Sequence, residues 1–296
     1  MKRVLITGAG SYIGTSFGRW AAERCPGIST ETLDMRGGAW RQADFRGYDS
    51  VFHVAGIAHA DVGKASGEDR RLYYRVNTDL AIECASKAKA EGVGQFIFMS
   101  SIIVYGESAG IGRRRVITED TPLSPANFYG DSKARAEEGL RGLRGDSFRV
   151  VVLRPPMIYG PGSKGNYPIL SMLARKLPAF PDIRNERSML YVGNLCRFVS
   201  LMILNSEDGV FFPQNAEYVD TSRMVRAIAG AHGRRLLLTR ALNLPMKALG
   251  RLGGKAGGMV DKAFGSIVYE KGMSAYKEDY QEYGFEESVR LTEGGA

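Results

Sequence analysis

Tyr129 and Lys133 stand four residues apart in Ser124-Pro125-Ala126-Asn127-Phe128-Tyr129-Gly130-Asp131-Ser132-Lys133. Ser124-Pro125 is a helix-start signal, and helical polarity continues to about residue 144. The spacing puts both side chains on one helix face. A lysine ammonium near a phenol favours the phenolate and lowers the tyrosine pKa. Such a tyrosine can give or take a proton at a carbon being oxidised or reduced. Ser101 is the third member of the group. It follows Gln95-Phe96-Ile97-Phe98-Met99-Ser100, which reads as a buried strand running into two serines. Ligands of open parallel sheets gather at the carboxyl ends of strands, where Ser101 is placed to hold the same substrate oxygen. A Tyr–Lys pair on a solvated helix is common by chance. The strand-end serine and a glycine turn near the N-terminus set this one apart.

That turn follows Val4-Leu5-Ile6, three apolar residues that predict a buried parallel strand. The chain continues Thr7-Gly8-Ala9-Gly10-Ser11-Tyr12-Ile13-Gly14, and residues 15–24 read as a helix. Strand, glycine turn and helix is the arrangement that binds a dinucleotide. Gly8 permits the tight turn and Gly10 lets the backbone approach a pyrophosphate. Gly14 lets the helix lie close on the strand. The helix N-terminus, at Ser11, Tyr12 and Ile13, then offers free N–H groups to the phosphates.

A second strand over residues 29–33 ends in Asp34, twenty positions past Gly14. An acid there accepts hydrogen bonds from a ribose and repels a 2′-phosphate, which favours NAD. Arg36, two residues on, is able to accommodate the phosphate of NADP. Asp44 and Phe45 are placed to flank an adenine ring. Small residues Ala55 and Gly56, after the apolar strand at residues 50–54, let a cofactor pass close by. His53 in that strand reads as a packed histidine. Residues 68–91 read as a helix with Asn77 inside it, a candidate for contact on the cofactor's side of the sheet. Residues 107–119, rich in glycine and arginine, read as a mobile loop.

The 296 residues are 44% hydrophobic and 24% charged, enough for one large α/β domain or a domain with a smaller lobe. The formal net charge of +8 is spread along the chain, with only Arg113-Arg114-Arg115 forming a run. A basic cleft for a phosphate-bearing small substrate suits this better than nucleic acid. Cys25, Cys84 and Cys196 are widely spaced and read as free thiols of a reducing compartment. The first apolar run is one strand long, too short for a signal peptide or a membrane span, so a cytoplasmic protein is expected. Residues 242–264 are apolar, basic and glycine-bearing. Packing within a lobe is expected for them ahead of contact with a membrane surface.

Taken together these pieces resemble the extended short-chain dehydrogenase/reductases, the NAD-dependent epimerase/dehydratase group that modifies nucleotide sugars. The resemblance rests on residues 7–14, Ser100-Ser101-Ile102-Ile103-Val104-Tyr105-Gly106, Tyr129 with Lys133, Arg154-Pro155-Pro156-Met157-Ile158-Tyr159-Gly160-Pro161-Gly162 and Arg187-Ser188-Met189-Leu190-Tyr191-Val192, in that order over roughly the first 205 residues. It implies Tyr129 as acid/base, Lys133 as its pKa partner and ribose contact, and Ser101 as donor to the substrate oxygen. It implies that Pro156 and Ile158 lie beside the nicotinamide, that Arg187 holds the nucleotide diphosphate, and that Asn166 contacts substrate. The implied fold is a doubly wound parallel (Rossmann) sheet over residues 1–160, joined by a helix near residues 193–204. A smaller substrate lobe would use 161–186 and 206–296, and a homodimer is a further implication.

The chain departs from the family pattern at Ser11, where many relatives have glycine, and at Met157, where many epimerases have asparagine. Ile102-Ile103 stand where sugar 4,6-dehydratases carry an acidic pair, so elimination of water is disfavoured. The implied reaction is hydride transfer at C4 of a UDP- or dTDP-hexose, first as a 4-epimerase. The alternative is a 4-ketoreductase of surface-polysaccharide sugar synthesis. A non-catalytic dinucleotide-sensing protein on the same fold is the remaining reading.

Overall fold

Val4, Leu5 and Ile6 form the buried centre of β1 (Lys2–Thr7), flanked by parallel strands on both sides, a buried one and a partly exposed edge strand. β2 (Ile28–Leu33) sets Thr30 opposite Val4, and β3 (Ser50–His53) sets Ser50 opposite the same residue. β4 (Gln95–Met99), β6 (Arg149–Leu153) and β10 (Gly209–Phe211) extend the sheet, giving the order β10-β6-β4-β3-β1-β2, parallel throughout. The strand order reverses between β1 and β3. In doubly wound sheets the crevice beyond the carboxyl ends of such a pair is where ligands bind. This is the doubly wound α/β fold expected from the sequence.

This computed structural model describes residues 1–58, 66–251 and 254–294. Contacts divide the chain into two compact units. The first comprises residues 1–106, 122–156 and 195–213; the second comprises 107–121, 157–194 and 214–296. Residues 107–121 therefore belong with the second unit, not with the stretch 1–160 in which the sequence reading placed them.

Helices α1 (Tyr12–Arg24), α3 (Leu80–Ala90) and α4 (Phe128–Arg141) pack on the sheet of the first unit, and α2 (Gly67–Tyr74) packs on α4. The small buried face of α3, Ala81, Cys84, Ala85 and Ala88, packs with Leu5, Val51, Phe96 and Phe98 of the strands. Truncating a ring such as Phe96 in this core would cost about 3–5 kcal/mol. The helix expected over residues 68–91 forms, but a π turn at Arg75–Asp79 joins α2 to α3. α4 starts three residues later than Ser124-Pro125 suggests, because Asn127 caps it by accepting from Gly130 N at 3.0 Å. His53 is packed as expected, its ring 5.5 Å from Phe96 and 6.1 Å from Phe98, with Nδ1 2.8 Å from Thr7 Oγ1. The three cysteines are buried free thiols.

The second unit contains three short parallel pairs. β5 (Val116–Ile117) pairs with β12 (Val268–Tyr269), β7 (Met157–Tyr159) with β9 (Met189–Tyr191), and β8 (Ala179–Pro181) with β11 (Leu237–Thr239). Its helices are α5 (Asn166–Lys176), α7 (Thr221–Ala231), α8 (Asn243–Arg251), α9 (Gly254–Phe264) and α10 (Phe285–Gly294). α6 (Val192–Leu204) begins in the second unit and continues into the first.

One expectation is corrected here. Residues 107–119 are not a free loop: β5 lies within them, Ala109 N donates to Ser266 O at 3.0 Å, and Arg114 pairs with Glu186. Paired backbone compensates for the glycines and arginines that suggested mobility. Residues 242–264 become α8 and α9, with 252–253 outside the described residues. α9 packs as expected, but α8 has no buried residue. Among the described residues no helix is long and apolar enough to cross a membrane.

Candidate active site

The first turn after β1 is shaped by contacts that exclude side chains. Gly8 has φ +117°, and a Cβ there would lie 2.8 Å from Ala55 N. Gly10 has φ +74° and faces open space. A Cβ on Gly14 would meet Ser11 Oγ at 2.7 Å and Ile6 and Val54 at 3.0 Å, so α1 sits hard against the strands. Ser11 caps α1 by accepting from Gly14 N at 3.2 Å, and the first turn carries no acid. The helix N–H groups that Ser11 leaves free, with no competing carboxylate, suit an anion.

Beyond this turn lies a cavity of about 790 Å³ lined by residues 8–11, 34–38 and 54–57 and by Arg75, Val76 and Glu83. Gly8, Gly10, Ser11, Asp34, Ala55 and Gly56 line it, while Tyr12, Ile13 and Gly14 form the adjoining start of α1. The glycine cradle, the open space over Gly10 and the volume fit a dinucleotide.

Asp34 and Arg36, read from sequence as competing signals for the two cofactors, form an ion pair. Arg36 Nη2 donates to Asp34 Oδ2 at 2.7 Å, and Arg36 N donates to Oδ1 at 3.0 Å. The guanidinium bond holds the carboxyl at about 2. Asp44 and Phe45 do not line the cavity. Phe45 is wholly buried in the core, its N–H donates to Glu91 Oε2 at 2.6 Å, and Asp44 pairs with Arg46. The expectation that Asp44 and Phe45 flank an adenine is therefore corrected: the apolar Phe45 ring is more stable in the core cluster, where it is wholly buried, than at the cavity wall.

At the carboxyl end of β4, Ser101 accepts from Ile103 N at 3.3 Å and so caps a short turn over Ile102–Tyr105. Its hydroxyl is near enough to Tyr129 to oppose the rise in the phenol's pKa. Lys133, one helical turn beyond Tyr129, is buried; its Nζ donates to Met99 O at 2.8 Å and lies 4.7 Å from the centre of the Phe98 ring. Strand end and helix thus bring Ser101, Tyr129 and Lys133 together. The electrostatics differ from the sequence expectation. Burial pushes the Tyr129 phenol up to about 12, opposed by the Ser101 hydroxyl. Burial also draws Lys133 down to about 8, opposed by Glu137. Desolvation, not the lysine, sets the phenol's pKa.

Asn77 lies in the π turn and is fully buried. Its Oδ1 accepts from Ile57 N at 2.8 Å, and its Nδ2 donates to Ile57 O at 3.0 Å and Ser132 Oγ at 3.1 Å. It therefore ties the segment after β3 to α4 beside Lys133. A Cβ on Gly56 would come within 3.1 Å of Asn77 Oδ1 and 3.3 Å of Lys133 Nζ. Gly56 is the point where the cavity meets the Tyr129–Lys133 group. A π turn is a frequent device for turning one residue inward at a functional site.

Sequence reasoning missed the charges behind this group. Glu137, four residues past Lys133, is buried and bonded to Arg154 and Ser100; Arg154 Nη1 also donates to Tyr105 Oη at 2.7 Å. The signal was the continued spacing 129, 133, 137, which carries the same helix face inward.

Pro156 is buried at the end of a first-unit segment. Ile158, Asn166 and Arg187 belong to the second unit. Ile158 lies in β7 opposite Leu190, and Asn166 is the exposed first residue of α5. Arg187 is half-buried, its Nη1 donates to Lys262 O, and burial lowers its pKa.

A family model described as the NAD dependent epimerase/dehydratase family matches residues 4–212. The chain is 32% identical to a UDP-glucose 4-epimerase of Vibrio cholerae over 290 residues, 90% of this chain and 86% of that protein. It is 29% identical over 224 residues to the N-acetyl-alpha-D-glucosaminyl-diphospho-ditrans,octacis-undecaprenol 4-epimerase of Escherichia coli O157:H7, 70% of this chain and 64% of that one. In fold it is similar to the crystal structure of the UDP-glucose 4-epimerase of Thermus thermophilus in complex with NAD. That match has a TM-score of 0.71 at 23% identity and covers 99% of this chain and 98% of the other.

Proposed function

Because the chain belongs to the NAD dependent epimerase/dehydratase family, we propose that it is an NAD-dependent 4-epimerase of a nucleoside-diphosphate hexose. One observation carries the reading: Gly56 lines the cavity for a dinucleotide and also abuts Lys133, so the cofactor site and the Ser101–Tyr129–Lys133 group adjoin. The resemblance of most of the chain to a UDP-glucose 4-epimerase supports epimerisation ahead of 4-keto reduction.

Bound NAD supplies reversible hydride acceptance at the sugar C4. The turn through Gly8 and Gly10 and the start of α1 hold its pyrophosphate, and the Asp34–Arg36 pair meets its adenosine ribose. Tyr129 moves the proton of the 4-hydroxyl, a role worth about 10²–10⁴-fold in rate. Ser101 holds that oxygen through its own hydroxyl. Lys133 lies against Gly56, where its ammonium is placed to meet the nicotinamide ribose. Within the second unit, Arg187 has planar donors that suit a diphosphate, and Asn166 stands exposed at the start of α5.

Incubation with UDP-glucose and UDP-N-acetylglucosamine, without added reduced cofactor, tests the reading. Formation of the C4 epimer in the NMR spectrum supports it. NAD(P)H consumption only with a 4-keto-6-deoxy sugar nucleotide replaces it with the reductase. Absence of both reactions and of any nucleotide-sugar binding rejects it.

A further inference from the structure

α8 is a nine-residue helix with five apolar side chains, Leu244, Pro245, Met246, Ala248 and Leu249, and none of its residues is buried. A helix of a folded unit normally hides its apolar stripe. The inner side of α8 is defined. Met246, Leu249 and Gly250, at helical spacing, are half-buried, and the helices meet closely there: a Cβ on Gly257 of α9 would lie 2.9 Å from Gly250 O. The outer side consists of Leu244, Lys247, Ala248 and Arg251, spaced three and four apart and all exposed, with Leu244 77% exposed. α9 repeats the pattern. Val260 and Phe264 are buried, while Met259, 72% exposed, and Lys262 face outward one turn apart.

Charge indicates what such a surface meets. Residues 240–264 hold five cations, Arg240, Lys247, Arg251, Lys255 and Lys262, against the single acid Asp261. Half of the chain's net charge of +8 thus falls in 25 residues. Asp261 is turned inward, accepting from Ile111 N at 3.0 Å, and Arg240 has Asp182 nearby at 3.5 Å. Lys247, Arg251 and Lys262 stand beside exposed Leu244 and Met259. Long apolar side chains interleaved with cations suit an interface of acyl chains and anionic headgroups. A protein partner of comparable size would leave this cationic excess to be matched by a dense acidic patch, whereas an anionic bilayer matches it everywhere.

We propose that the outward faces of α8 and α9 dock the second unit on an anionic phospholipid surface, peripherally and reversibly. The affinity comes from a few shallow apolar side chains and from screened attraction of cations to headgroups. It is therefore salt-sensitive, and neither helix is long enough to span. The proposal does not rest on the sugar chemistry, since vesicle binding reads no catalysis.

The full chain is sedimented with phosphatidylcholine vesicles, with and without phosphatidylglycerol, at low and high salt. Binding is expected only with phosphatidylglycerol, weakened at least about tenfold by high salt. Lys247→Glu and Arg251→Glu should each weaken it about fivefold or more, and Leu244→Asp should lower it further. Unchanged circular dichroism and unchanged NAD titration show that each variant is folded. Equal sedimentation with and without the anionic lipid, no sedimentation, or wild-type binding by Leu244→Asp overturns the proposal. So does a solution dimer that Leu244→Asp dissociates, which would make a second copy the occupant of this face.

Discussion

Arg154 lies along the carboxylate of Glu137, its Nε 3.1 Å from both oxygens and its Nη2 2.5 Å from Oε2, with both side chains buried. Two charges removed from water stay favourable only while each satisfies the other. Here Ser100 and Tyr105 complete the set, and Lys133 feels Glu137 as the charge that keeps its own proton on.

Breaking this pair from one side should cost about 3–5 kcal/mol of stability, because the remaining charge is stranded. Arg154→Leu and Glu137→Leu are each expected to lower the urea midpoint strongly. The double variant should recover most of the loss. Single variants as stable as wild type would show that the pair is open to water.

Tyr129→Phe keeps the ring and removes only the proton carrier. Turnover should fall by about 10²–10⁴-fold while NAD affinity, titrated by fluorescence, stays within about twofold. Retention of most of the rate would move the acid/base role to another group.

His53 predicts an acid sensitivity. Burial first, and the Lys133 charge second, hold it at about 3 against 6.5 in the open chain. Between these values the unfolded chain binds a proton that the native chain refuses. Stability is therefore full above pH 6.5 and falls as the pH drops towards 3, by up to about 1.4 kcal/mol per pH unit. His53→Asn can keep a bond to Thr7 and does not titrate. Urea unfolding at pH 7 and pH 5 should show a loss about 2 kcal/mol larger in wild type than in the variant; equal losses would mean that His53 is protonated in the native state.

The glycine turn separates packing from ligand contact. Gly8→Ala meets both a positive φ and the Ala55 backbone, so it should destabilise the fold by at least about 1–3 kcal/mol. Gly10→Ala meets only the positive φ, since its Cβ would enter open space. A loss of about 1 kcal/mol of stability is expected, with a disproportionate loss of NAD affinity. Unchanged NAD affinity in Gly10→Ala would place the phosphates elsewhere.

The site was most legible where chemistry and local periodicity coincide. Val4-Leu5-Ile6 with its glycines, and Tyr129 with Lys133, each announce a strand turn or a helix face from their own neighbours. Phe45 was misplaced because the sequence shows that it is near the cavity in order, not that its ring turns into the core. Asn77 was placed near the cofactor's side of the sheet but without a partner. Only the extra residue of a π turn aims it at Ile57 and Ser132, and no local propensity marks that turn. The phenol's pKa was misjudged because spacing reveals a neighbouring charge and hides desolvation. The pairing of β5 with β12 joins segments about 150 residues apart, beyond the reach of any pattern in residues 107–119.

The first unit is written in the chain in three instalments, and this bears on how a ribosome delivers it. When β4 has emerged, one edge is covered by β3 and the other waits for β6, fifty residues later. At about 5–20 residues per second, that bare apolar edge persists for about 3–10 seconds. The outermost strand, β10, arrives only after residues 157–194 of the second unit have been made. Neither unit can finish before the other has begun, so a truncation near residue 160, where sequence suggests a boundary, would release a nascent sheet with an unpaired strand edge, the kind of surface on which chains aggregate.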